Sequence, residues 1–143
     1  MGDDRPYAPV VGVGAVVFKD NQILMIRRAN EPGVGRWSIP GGRQELGETT
    51  EQGARREVLE ETGIDCEILG LIGVYDAIIR DEEGRITDHF TLVNHGAKWL
   101  SGEPRAGDDA LEAVFMTVED ALAHDLWNEV GDVIEKGRGL FSN

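Results

Sequence analysis

The chain has 143 residues, 41% hydrophobic and 29% charged, which is one ordinary domain of soluble composition with enough apolar residues for a core. Its 27 acidic residues against 14 Lys and Arg leave a formal net charge of -13. That balance argues against a nucleic-acid polymer as partner, because phosphate backbones are gripped by basic surfaces, and no apolar run is long enough to span a membrane.

Residues 1–9 read as a loose leader, since Pro6 and Pro9 discourage regular structure. They lack the basic-then-apolar order of a signal peptide. Residues 10–143 are expected to form a single domain. Val10–Phe18 (VVGVGAVVF) is β-branched and apolar, as a buried strand should be. Lys19-Asp20-Asn21 reads as a turn and Gln22–Arg28 as the returning strand. Asn30–Arg36 is a loop, and Trp37-Ser38-Ile39 a short extended piece ended by Pro40.

A helix is expected after Gly41-Gly42. Thr49 and Gln52 have the spacing of a capping box, and Gly63 suits a left-handed C-terminal cap. Ala54, Val58 and Leu59 are expected to face the core. Gly53 in the helix interior implies close packing against a strand. Farther on, Glu67–Ile79 and His89–Leu100 read as long strands joined by an Asp81–Gly84 turn. Ala113–Thr117 is a short strand, with Thr117 able to cap a short helix. A last helix is expected over about Leu126 to Lys136, ending near Gly137. The order of elements implies an α/β (α+β) fold, a mixed sheet with helices on both faces.

The chemistry concentrates in residues 42–64. Glu57, Glu60 and Glu61 share one helical face within an arc of roughly 100°. Three acids so placed repel one another unless a cation or arginines compensate. Mg²⁺ suits such hard oxygen ligands and retains waters, one of which, acidified, is the expected nucleophile at phosphorus. Of the basic residues near the loop, Arg27 and Arg28 end the second strand and should point to opposite faces, so one can reach a phosphate. Arg36 and Arg43 flank the same region and can screen phosphate charge. Trp37, Phe18, Tyr75, Phe90 and Trp99 are expected to be packing residues. His89 and His95 are expected to be structural and His124 a surface residue. Cys66, the only cysteine, has no visible partner for chemistry and favours a cytoplasmic setting.

From Gly42 to Ile64 the chain resembles, at every fixed position, the signature of the Nudix hydrolases, G-x5-E-x7-R-E-U-x-E-E-x-G-U with U a bulky aliphatic residue. The resemblance implies a Nudix-type α/β/α sandwich and Mg²⁺- or Mn²⁺-dependent cleavage of a nucleoside diphosphate linked to another moiety. It makes Glu57, Glu60 and Glu61 metal ligands, one of them able to act as base, with the carbonyl of Gly41 or Gly42 completing the shell. Glu48 and Arg56 would hold loop and helix together. A further acid would come from Asp108, Asp109 or Glu112, with Glu112 the first choice from its distance before the following strand. GVGAVVF, IRRANEPGVGRWSIPGGR and GEPRAGDDALEAVF are similar to segments of bacterial ADP-ribose pyrophosphatases. ADP-ribose, split to AMP and ribose 5-phosphate, is the substrate this implies. The alternatives are a nucleoside triphosphate pyrophosphohydrolase removing oxidised nucleotides, or a nucleotide-binding module without catalysis. A homodimer is common in the family.

Overall fold

The computed structural model describes residues 8–141. Most of the leader expected over residues 1–9, and the last two residues, lie outside that range. The first hairpin forms as the sequence implies: β1 (Val10–Lys19) turns at Asp20-Asn21 into β2 (Gln22–Arg28). The two strands pair only at the turn, through Phe18–Ile23 and Lys19–Gln22. Beyond that they diverge, and two short strands take up the vacated edges. β3 (Trp37–Ser38) pairs with β2, and β4 (Gly41–Arg43) pairs with Gly12–Gly14 of β1.

On the other edge of β1 runs β6 (Ile86–Ser101), parallel from Val10–Phe90 to Phe18–Lys98. β6 forms a long antiparallel ribbon with β5 (Asp65–Arg80). β7 (Ala110–Thr117) closes the far side by pairing with β2. The sheet is mixed and seven-stranded, and its twofold side-chain alternation sorts the apolar residues onto two faces. Ala15, Val17 and Leu24 pack with Val58, Ile64, Cys66 and Ala97 on one face. Val16, Ile23 and Met25 pack with Trp127, Val130, Val133 and Ile134 on the other. The first face is covered by α1 (Thr50–Thr62), the second by α2 (Val118–Leu122) and α3 (Val130–Phe141).

α1 has the predicted termini. The Thr49 side chain accepts from the Gln52 N–H, the Gln52 side chain accepts from the Thr49 N–H, and Gly63 closes the helix at φ 75°. Gly53 lies against β1: a Cβ there would stand 3.0 Å from Val13 and 2.7 Å from the Glu48 carboxylate. Thr117 caps α2 as expected.

Two expectations need correction. Leu59 is 48% exposed, because the buried stripe of α1 runs through Ala54, Val58, Glu61 and Thr62. The last helix begins at Val130 and not near Leu126, since the preceding residues are tied to β3. Trp37 donates to the Asp125 carbonyl and Trp127 donates to the Trp37 carbonyl, both at 2.9 Å. Asn128 then adopts φ 49°, which a right-handed helix cannot contain. The same helix continues through Gly137 to Phe141; the glycine serves close packing there and not a cap, since a Cβ would come within 2.7 Å of Ile72 Cδ1. Among the described residues no helix is long and apolar enough to cross a membrane.

Thr49→Ala removes a cap and half of the capping box. It is expected to destabilise the fold by about 1 kcal/mol, read as a lower urea midpoint with an unchanged slope.

Candidate active site

The divergence of β1 and β2 leaves a cleft of about 540 Å³, within the usual range for small-molecule sites. One wall is the Gly41–Arg43 strand, the Gly12–Gly14 stretch beneath it, and Glu57 and Glu61 from α1. Arg28, the Ala29–Pro32 loop and Asp109 also line the cleft. Phe90, Leu92 and Asn94 of β6, with Trp127, Glu129 and Val130, extend it. Glycine is needed where the backbones cross. A Cβ on Gly14 would lie 2.8 Å from the Pro40 carbonyl, and one on Gly41 would lie 2.5 Å from the Val13 carbonyl.

Glu61 is 8% exposed, and its Oε1 is buried without a hydrogen-bond partner among the described residues. Burial is the main force on this carboxyl, which is pushed up to about 8; Glu57 and Asp109 add repulsion, while the Gly41 N–H and Arg28 oppose the shift. Glu57 is also raised, again chiefly by burial, with the Arg56 hydrogen bond pulling the other way. An unpartnered buried carboxylate oxygen beside a second raised carboxylate and a third acid is a donor set that a hard divalent cation satisfies. Among the described residues no three His, Cys, Asp or Glu side chains converge as a tight cluster. Glu57 is drawn towards Arg56, and Glu60, its side chain 59% exposed, lies outside the cleft lining.

Arg56 binds most of the motif. Its Nη2 donates to Glu48 at 2.6 Å and to the Arg43 carbonyl at 3.0 Å. Nε donates to the other Glu48 oxygen at 2.9 Å. Nη1 donates to Glu57 at 2.7 Å and to Glu60 at 3.1 Å. Glu48 also accepts from the Glu45 N–H at 2.8 Å, which folds the loop over its own carboxylate. The Arg56 contact, with that N–H second, holds the Glu48 carboxyl well down, at about 2. Arg56 and Glu48 therefore join loop to helix through these contacts.

The two arginines that end β2 do point apart. Arg28 lines the cleft, donates to the Pro32 carbonyl at 2.7 Å and lies over the Trp127 ring at 4.3 Å. Arg27 lies outside the cleft lining, where its guanidinium donates to the Gly35 carbonyl and meets Glu112 at 3.4 Å. Arg27 and Glu112 are cross-strand neighbours in the β2–β7 ladder. Glu112, the first choice for the additional acid, meets Arg27 and is absent from the cleft lining, whereas Asp109 of that loop lines the cleft. Arg43 lines the cleft, whereas Arg36 pairs with Asp125 at 3.6 Å.

Asp109 is carried by a segment anchored to the end of α1. Arg105 donates to the Thr62 carbonyl at 2.9 Å and Gly107 to the Glu61 carbonyl at 2.7 Å. Sequence reasoning missed Trp127, Glu129 and Asn94. The first two were absorbed into a helix predicted too long, and Asn94 reads as one more polar residue in a strand. Only the turn chemistry of Asn128 could have signalled the break. His95 is buried and bonds Gly14 and Thr50, a structural role. His124 is exposed and packs on Trp37, ring centroids 4.8 Å apart.

A NUDIX domain model matches residues 8–136. The chain belongs to the Nudix family. An ADP-ribose pyrophosphatase of Methanocaldococcus jannaschii is 39% identical over 112 residues, covering 78% of this chain and 64% of that protein. An 8-oxo-dGDP phosphatase of Danio rerio is 31% identical over 118 residues, covering 80% of this chain and 35% of that protein. The chain thus spans less than two thirds of the length of either. The crystal structure of a MutT NUDIX hydrolase from Burkholderia pseudomallei has a TM-score of 0.77 at 32% identity, covering 90% of this chain and 98% of that one. The Nudix motif here is therefore set in a Nudix fold.

Arg56→Ala leaves Glu48 and Glu57 without their cation. It should lower stability by about 2 kcal/mol, discounted from a fully buried pair because the side chain is partly solvated. Arg56→Lys should recover only a minority of the loss, since one ammonium cannot span those acceptors. Urea unfolding of the three proteins checks both.

Proposed function

We propose that this protein is a divalent-metal-dependent pyrophosphohydrolase of the cytoplasm, with Mg²⁺ the working ion. Its substrate would be a nucleoside diphosphate joined to another group, ADP-ribose first among them. The observation that carries the reading is the buried, unpartnered Oε1 of Glu61 beside Glu57 in a cleft that also holds Arg28 and Arg43. Acids at one wall and arginines nearby suit a cation and a diphosphate bound together. The archaeal ADP-ribose pyrophosphatase, the more similar of the two curated relatives, supports the choice of substrate.

When bound, a divalent cation would supply neutralisation of the diphosphate oxygens and acidify water beside them. Glu57 and Glu61 would hold it, with Glu60 joining from the rim and a Gly41 or Gly42 carbonyl completing the set. Arg28, fixed by Trp127 and the Pro32 carbonyl, would orient the diphosphate. The backbone of Gly41 and Gly42 would let the phosphates lie close to the strand. Water oxygen bonds to one phosphorus and the anhydride P–O bond breaks. The other phosphate leaves with that oxygen, and the water proton passes to a carboxylate of the wall. Asp109, which lines the cleft, would receive it. AMP and ribose 5-phosphate would be the products from ADP-ribose.

A second reading, hydrolysis of oxidised purine nucleotides, is favoured by the fish relative named as an 8-oxo-dGDP phosphatase. A panel with Mg²⁺ or Mn²⁺ separates the readings: ADP-ribose, nucleotide sugars, dinucleoside polyphosphates, and nucleoside di- and triphosphates with and without 8-oxo-guanine. The expected result is AMP from ADP-ribose, abolished by EDTA. Glu61→Gln should lower kcat/KM by roughly a hundredfold or more without unfolding the protein. Preference for an oxidised nucleotide would favour the second reading, and absence of any turnover would sink both.

A further inference from the structure

β5 is the last strand on its side of the sheet, so its outer edge has no neighbour among the described residues. The two halves of that edge differ. Register shifts between Ile68 and Gly70 and between Leu71 and Gly73 break up the first half, whereas residues 74–79 run in unbroken register against residues 88–93. Bulges spoil an edge for further pairing, and a regular run leaves it open. The regular run, VYDAIIR over residues 74–80, has no proline or lysine to blunt it.

The end of this run also lacks support from within the chain. β1 reaches only as far as Phe90 of β6, which stands opposite Ala77. Past that point residues 78–80 and 86–89 form a ribbon of two strands, which on its own is marginal in water. Val74, Asp76, Ile78 and Arg80 share one face of β5, and all four are exposed, Val74 at 59% and Ile78 at 45%. Among the described residues neither Asp76 nor Arg80 has an ion-pair partner; the Arg80 guanidinium donates to the Gly84 carbonyl at 3.0 Å.

Two copies of one edge pair antiparallel about a twofold axis, so that each residue meets the one equally far from the axis on the other copy. With Ile78 on the axis, Asp76 meets the partner's Arg80, Arg80 meets the partner's Asp76, and Ile78 meets its own copy. Opposite charges and apolar pairs directly across an antiparallel ladder are favourable. Moving the axis to Ala77 sets Asp76 against Ile78, and moving it to Ile79 sets Asp76 against Glu82, so charge complementarity selects one register. We propose that residues 74–80 of β5 are the interface between two copies of this chain, joined edge to edge at Ile78 into one sheet that continues across both. None of these residues lines the cleft, so the pairing is independent of the substrate.

Sedimentation velocity from micromolar to near-millimolar protein tests this, with circular dichroism as the check on folding. Wild type is expected to rise with concentration from the 15.7 kDa of one chain to twice that mass. Asp76→Arg sets like charges opposite each other twice per dimer and should raise the dissociation constant by roughly tenfold or more. Arg80→Asp should do the same. The two variants mixed present opposite charges at both places and should associate again, about as tightly as wild type. Wild type that stays monomeric at every concentration overturns the proposal. A dimer indifferent to both exchanges, or folded variants that fail to associate when mixed, would overturn it too. If either exchange misfolds, Ile78→Lys, which sets two like charges on the axis, takes its place with the same expected loss, and a dimer it leaves intact counts against the interface.

Discussion

The Arg56 guanidinium is the contact on which the catalytic end depends. Its hydrogen bonds reach the loop through Glu48 and the Arg43 carbonyl, and its own helix through Glu57 and Glu60. Without that cation, the carboxylates of Glu48, Glu57 and Glu60 would lie together uncompensated. With it, the loop that brings Gly42 to the cleft and the helix that brings Glu57 and Glu61 are one unit. Loss of activity on changing Arg56 would therefore report on geometry first, since its side chain is absent from the cleft lining.

The cleft follows from a sheet that does not stay closed. β1 and β2 part after two paired residues, and β3 and β4 fill the edges they leave. The crossing of β1 and β4 is tight enough to require glycine at 14 and 41. The acids then enter from α1 on one face, and Trp127 and Glu129 from the segment before α3 on the other. Arg28 links the two faces: it rests on Trp127 while its charge acts on Glu61.

Local chemistry made much of this legible. Thr49 with Gln52 and Gly63 set the ends of α1, and the apolar, β-branched run of β1 marked a buried strand. What could not be read was long-range. Tying residues 125–127 to Trp37 shortens a helix that periodicity alone extends. The same limit governed the extra acid: distance along the chain favoured Glu112, but strand pairing gives it to Arg27 and leaves Asp109 in the cleft. Leu59 failed for a similar reason, because the apolar stripe of α1 admits a buried glutamate in its place.

The segment from Gly102 to Asp109 has little regular structure, yet it is not a hinge. Two of its amides cap the carbonyls of Glu61 and Thr62, so the last turn of α1 has part of its hydrogen bonding supplied from 43 or more residues away, as about 43 separates Thr62 from Arg105. Hydrogen exchange at Arg105 and Gly107 should then follow the opening of the helix end, not the faster opening usual for loops. Lengthening this loop would cost more than a surface insertion normally does, because it would uncap the turn that carries Glu61 and shift Asp109 in the same event.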